Sequence, residues 1–210
     1  MAHLFRRRSD GSCYCRLESE EKAIIAQVAQ ETADLIRMDL GIEPGSRSLQ
    51  QAAESDDPLE RLEAEFAARE AREPADSAVQ RLFPAASEDP EHAEEMRRLG
   101  QRDLADQKLA DLRELMGIMD RSGLRPSEVT LDERQQMIVA RALNDVRIVL
   151  ADRLGLERDG DLDTVRMLQQ IGERVEGADT GETSAGGAEI VIAVYELLTV
   201  LQESLLHCMD

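Results

Sequence analysis

The sequence predicts an all-α fold: a helical bundle of about five or six helices with a small N-terminal β-hairpin. Three observations carry this. Of 210 residues, 42% are hydrophobic, yet aromatics make up only 2% and Trp is absent. The core must therefore come from Leu, Ile, Val, Met and Ala, which pack well in helices. Apolar residues recur at helical spacing in one segment after another. Near the start, the turn signal Ser9-Asp10-Gly11 divides two short extended stretches.

Those stretches are Leu4 to Arg8 and Cys13 to Leu17. In extended backbone Cys13, Cys15 and Leu17 share one face, with Tyr14 and Arg16 on the other. Ser19 then reads as the cap of a first helix, with Glu20 and Glu21 where the macrodipole favours negative charge. Ile24, Ile25, Val28, Thr32, Leu35 and Ile36 form its apolar stripe, and Gly41 with Pro44 beyond marks its end. Residues 41–78 turn polar and charged and read as an acidic, partly disordered insertion containing one thin solvated helix from Asp57-Pro58. Val79, Leu82 and Phe83 restore apolar character up to Pro84. Asp89-Pro90 caps a charged helix expected to stop at Gly100, and a second helix follows through Leu104, Leu109, Leu112, Leu115 and Met119.

After Pro126, Ser127-Glu-Val129 reads as a brief extended piece. Thr130-Leu-Asp-Glu133 has the spacing of a capping box. The helix it opens runs to Leu154 and stops at Gly155. Apolar residues such as Met137, Leu143, Val146 and Val149 cover much of its circumference, so it should be central. A further helix is expected over Asp163–Val175 and a Gly/Thr/Ser-rich loop over Gly177–Gly187. A last apolar helix should run from Ala188 to about Cys208. The domain reading is hairpin and first helix over 1–40, insertion over 41–78, and a helical core over 79–210 packing with 19–40 as one domain.

Acids outnumber bases by 44 to 25, a formal charge of −19. Such a surface repels phosphate backbones and anionic lipid, which disfavours unaided binding to DNA or membrane. The exception is local: Arg6, Arg7, Arg8 and Arg16 against Asp10 make a small basic patch, enough for one or two phosphate contacts or a protein partner. No apolar stretch of signal-peptide length follows the N-terminal arginines. The apolar segment Ile190–Leu206 is interrupted by Glu196, Gln202 and Glu203 and falls short of the roughly 20 residues of a membrane span. A cytoplasmic protein is expected.

Three cysteines do not make a secreted disulfide framework. Cys13 and Cys15 lie among arginines, which should favour thiolate and hasten oxidation. Bridges Cys13–Cys15, Cys15–Cys208 and Cys13–Cys208 all remain open, the last two tying the hairpin to the final helix. Against this stands the reading of small buried hydrophobes or idle thiols. Cys13, Cys15, His207 and Cys208 offer zinc-binding atoms, but the spacing is too tight and adjacent helical residues diverge by about 100°. No metal or cofactor is expected. His3 and His92 have no evident partners. Nucleophile elbows, phosphate-binding loops and dinucleotide fingerprints are missing from the sequence, so an enzyme is not expected. In the central helix Arg141, Asn144, Asp145 and Arg147 suggest a polar seam, pairing within the helix or across to Glu196 and Glu203 on the last one.

Three stretches resemble one family: Leu82-Phe-Pro84, Arg141 to Gly155 (RALNDVRIVLADRLG), and Tyr195 to Leu205 (YELLTVLQESL). They are similar to the AosR family of actinobacterial proteins, across roughly residues 4–38 and 79–208. Leu197 and Val200 stand where bulkier aromatics are associated with that family. The resemblance implies a cytoplasmic, redox-responsive regulator of transcription that supports oxidative-stress defence and cysteine supply. It would act with an alternative sigma factor or other transcription protein, touching promoter DNA only with such a partner, through a cysteine thiol/disulfide switch. Homodimer or monomer is left open. The alternatives are a non-enzymatic acidic helical adaptor or scaffold with incidental cysteines and, behind it, a small-molecule-binding helical domain.

Overall fold

The computed structural model describes residues 4–42, 71–121, 127–156, 161 and 185–209. The insertion reading over 43–70, the helix over 163–175 and most of the Gly/Thr/Ser-rich loop lie outside these residues, as does His3. Within them are five helices and a three-stranded antiparallel sheet: β1 Arg6–Arg7, β2 Cys13–Arg16, α1 Ser19–Leu40, α2 Ser77–Leu82, α3 Pro90–Asp120, β3 Glu128–Leu131, α4 Glu133–Arg153 and α5 Ala185–Met209. The expected bundle with an N-terminal hairpin is present.

The sheet order is β1-β2-β3. The brief extended piece after Ser127 is thus a full partner of the hairpin, with Cys13 opposite Leu131, Cys15 opposite Val129 and Arg16 opposite Glu128. Pleat alternation puts Cys13, Cys15, Val129 and Leu131 inside, where all four are buried. Gly11, at φ +84, makes the turn between β1 and β2. Asp10 Oδ1 accepts from the backbone N–H and hydroxyl of Ser12. Gln136 on α4 donates to the carbonyls of Gly11 and Leu131, pinning turn and sheet to the bundle.

Two caps differ from expectation by one or two residues. Glu18, not Ser19, is the N-cap of α1, because its carboxylate and that of Glu21 satisfy each other's backbone N–H groups reciprocally. Asp132 with Gln135, rather than Thr130 with Glu133, forms the capping box of α4. Leu131 must stay extended to fill the core, so the helix begins only after it. At the other end of α1, Gly41 adopts φ +66, as a left-handed cap requires.

The expected stop at Gly100 does not occur, and α3 runs unbroken for 31 residues. Glycine inside a helix costs about 1 kcal/mol, which the apolar turns on its C-terminal side outweigh. Similarly, Ala185-Gly-Gly187 belongs to α5 rather than to the preceding loop. The small residues Ala29, Ala33 and Ala105, all fully buried, lie on α1 and α3, which pack extensively together. Among the described elements, helix α4 touches each of the other four helices. The core is aliphatic, centred on Leu112, Leu115, Leu143, Leu198, Leu201 and Leu205. Ile24, Leu104, Met137 and Ile190, expected inside, are exposed at the borders of their stripes.

Among the described residues one helix segment, Glu189–Met209, is long and apolar enough to cross a membrane by length and composition, longer than the sequence reading counted. Its inner face of Val194, Leu198, Leu201 and Leu205 belongs to the protein core, and α5 packs on α4.

Candidate functional site

Strand alternation turns Cys13 inward from β2. On α5, Leu201, Leu205 and Cys208 follow at helical spacing on one buried stripe. These two periodicities bring Cys13 and Cys208 together as a disulfide, with 6.4 Å between their Cα atoms and 195 positions between them in sequence. Of the three pairings left open by the sequence, this is the one formed. Two further contacts hold the same junction. The backbone N–H of Phe5 donates to Ser204 Oγ at 3.1 Å, and Arg7 reaches the carbonyls of Cys208 and Met209. Arg7 thereby places a positive charge at the negative end of α5.

Cys15 takes no part in the bond. It is buried, and desolvation pushes its thiol up to about 12, with Lys22 only partly opposing that rise. The expectation of an arginine-activated thiol is therefore wrong for Cys15. Arg16 projects from the opposite face of the strand, and the interior penalises the anion.

The basic patch is only partly available. Arg8 pairs with Glu128 at 2.7 Å and lies 4.4 Å above the Tyr14 ring centroid. Arg7 is engaged with α5, while Arg6 and Arg16 are exposed. Hollows lie on either side of Arg7. One, about 550 Å³, runs between β1 and α5 and is lined by Leu4, Val200, Glu203, His207 and Cys208 among others. The other, about 490 Å³, lies between the hairpin turn and the start of α4.

The polar seam exists, but most of it faces a different helix. Arg141 forms a bidentate pair with Asp111 at 2.8 and 3.0 Å, which raises its pKa. Asp145 pairs with Lys108 at 2.7 Å. Burial raises the Asp145 pKa, and Lys108 offsets part of that rise. Both partners lie on α3, neither within α4 nor on α5, the two places the sequence reading considered. Glu203 and Asn144 are exposed, and Glu196 is half-buried. Arg147 crosses to α5, donating to Gln202 and lying 5.4 Å from the Tyr195 ring centroid. Lys108 and Asp111 were overlooked although a signal was present: an acid and a base sit within the Ala105–Leu115 apolar stripe. His92 is exposed, 3.5 Å from Asp89. Among the described residues, no three His, Cys, Asp or Glu side chains gather as a metal site.

A family model covers residues 1–209, the whole length of the fold just described. The chain belongs to the DUF2017 family. That family is described as a domain of unknown function. No curated protein and no solved structure matches this DUF2017 chain.

Proposed function

We propose that this DUF2017 protein is a redox-responsive transcriptional regulator of the AosR type, supporting oxidative-stress defence and cysteine supply. It acts with an alternative sigma factor, and the state of the Cys13–Cys208 pair sets its affinity for that partner. The observation that carries this reading is the bond between the hairpin and the last turn of α5. Two elements far apart in sequence change from covalently joined to merely packed when it is reduced, which is the kind of local event a switch needs. Exposed Arg6 and Arg16 sit on the same hairpin as Cys13 and offer cationic contacts to that partner. The chain as a whole carries a formal charge of −19, which complements basic elements of a transcription complex and opposes solitary DNA binding.

The test is calorimetric titration of the host's alternative sigma factors with peroxide-oxidised protein, dithiothreitol-reduced protein and the Cys208→Ser variant. A tenfold or larger difference between oxidised and reduced forms is expected, with Cys208→Ser behaving as reduced. Equal affinities in all three would overturn the reading. The burial of all three cysteines favours one other reading, an acidic helical adaptor whose cysteines serve packing. It predicts partner binding indifferent to redox state.

A further inference from the structure

The disulfide is not equally accessible from its two ends. Cys13 is fully buried and does not line the groove between β1 and α5, whereas Cys208 retains 6% exposure and forms part of its wall. Thiol–disulfide exchange proceeds by attack of a thiolate on one sulfur, with the other leaving along the same line. A nucleophile in this groove therefore reaches Cys208 before Cys13. The groove holds about 550 Å³, room for a peptide-sized molecule. Leu4 and Val200 form its apolar sides, Arg7 and Glu203 offer one charge of each sign, and His207 adds a polar ring. That lining complements the carboxylate and ammonium groups of a cysteine-derived thiol. The convex surface of a protein reductant has no such fit to a recessed sulfur.

We propose that the groove admits a low-molecular-weight, cysteine-derived thiol to Cys208. This rests on the redox reading above and names the reductant for it. The incoming thiolate bonds to Cys208 Sγ as the Cys13–Cys208 bond breaks, and the electron pair leaves on Cys13, whose sulfur takes up the proton released by the attacking thiol. A second thiol molecule, as its thiolate, then attacks the small-molecule sulfur of the mixed disulfide. The small-molecule disulfide departs, and Cys208 is left as a thiolate that takes up a proton. Two thiols are oxidised and one protein disulfide is reduced.

Glutathione serves as the probe. Oxidised protein is treated briefly, acid-quenched, alkylated and mapped by mass spectrometry. Glutathione should appear on Cys208 and the alkyl label on Cys13; the reverse pattern overturns the proposal. Val200→Trp, which fills the groove from an exposed position, should slow the second-order cleavage at least fivefold. Leu206→Trp, equally superficial on the same helix but outside the groove, should leave the rate unchanged. Equal rates in the two variants, or cleavage by thioredoxin but not by glutathione, would also refute it. A thiol titration of the untreated parent separates the two levels of inference. Three free thiols after peroxide would defeat the switch itself, whereas glutathione on Cys13 would defeat only the groove.

Discussion

Replacing Cys208 with Ser opens a covalent loop that spans 195 positions. In the chain-entropy model, closing a loop of that length removes conformational freedom from the unfolded chain worth ~5 kcal/mol at 25 °C. Measured bonds more often contribute about 2–4 kcal/mol, because unfolded chains retain some structure. On the native side the loss is small. Phe5 still bonds Ser204, Arg7 still caps α5, and Leu201 and Leu205 stay in the core. The expected destabilisation is therefore about 3–5 kcal/mol. Urea unfolding followed by circular dichroism measures it for the parent with and without dithiothreitol, for Cys208→Ser, for Cys13→Ser and for the double variant. All forms lacking the bond should share one midpoint, since a single cross-link is lost however it is removed. Their m-values should exceed that of the oxidised parent, because an uncrossed unfolded chain exposes more surface. Two results would refute the reasoning: a parent whose midpoint ignores dithiothreitol, or a Cys15→Ala variant that loses its sensitivity to the reductant.

Asp145→Asn should lower stability by about 3 kcal/mol, since it strands Lys108 at a mostly buried position. Thermal unfolding should show this as a fall of roughly 6–12 °C, and the pair Lys108→Met with Asp145→Leu should recover most of it. The Cys15 thiol, raised from 9.0 to about 12, should resist iodoacetamide at pH 8 in the native state and react on unfolding. The folded protein holds that proton more tightly than the unfolded chain, so stability is intact below about pH 9 and falls as pH climbs towards 12. Cys15→Ala should flatten this slope in urea midpoints measured across the range. Gly41→Ala, which forces a side chain into φ +66, should cost about 1 kcal/mol by denaturant unfolding, with Gly41→Asn milder.

Much of the bundle was legible because its determinants are local. Asp89-Pro90 starts α3, Gly41 ends α1 and Gly155 ends α4 through backbone chemistry that acts within a few residues. Gly100 misled because a glycine reads alike as a cap or as a tolerated interior residue. The outcome depends on whether the next turns have a core to reach, and Ala105, Leu109 and Leu112 do. The caps slipped because Leu131 is held in the sheet by packing that no window around Thr130 contains. The site followed the same rule. Pleat alternation put Cys13, Cys15 and Leu17 on one face, but the partnership of Cys13 with Cys208 depends on how α5 docks beside β2, a contact made across 195 positions. The Arg141–Asp111 and Asp145–Lys108 pairs likewise cross between helices, and nothing in the spacing within α4 or α5 reveals that α3 supplies the partners.

In its oxidised form the polypeptide is topologically a ring from β2 round to α5. A single backbone cut within that ring frees no fragment, since the two pieces stay fastened through sulfur until a reductant arrives. Any excursion that lifts the last turn of α5 must also drag on the central strand of the sheet. Opening at the chain's two ends is thereby one shared event while the bond persists, and two independent ones once it is gone.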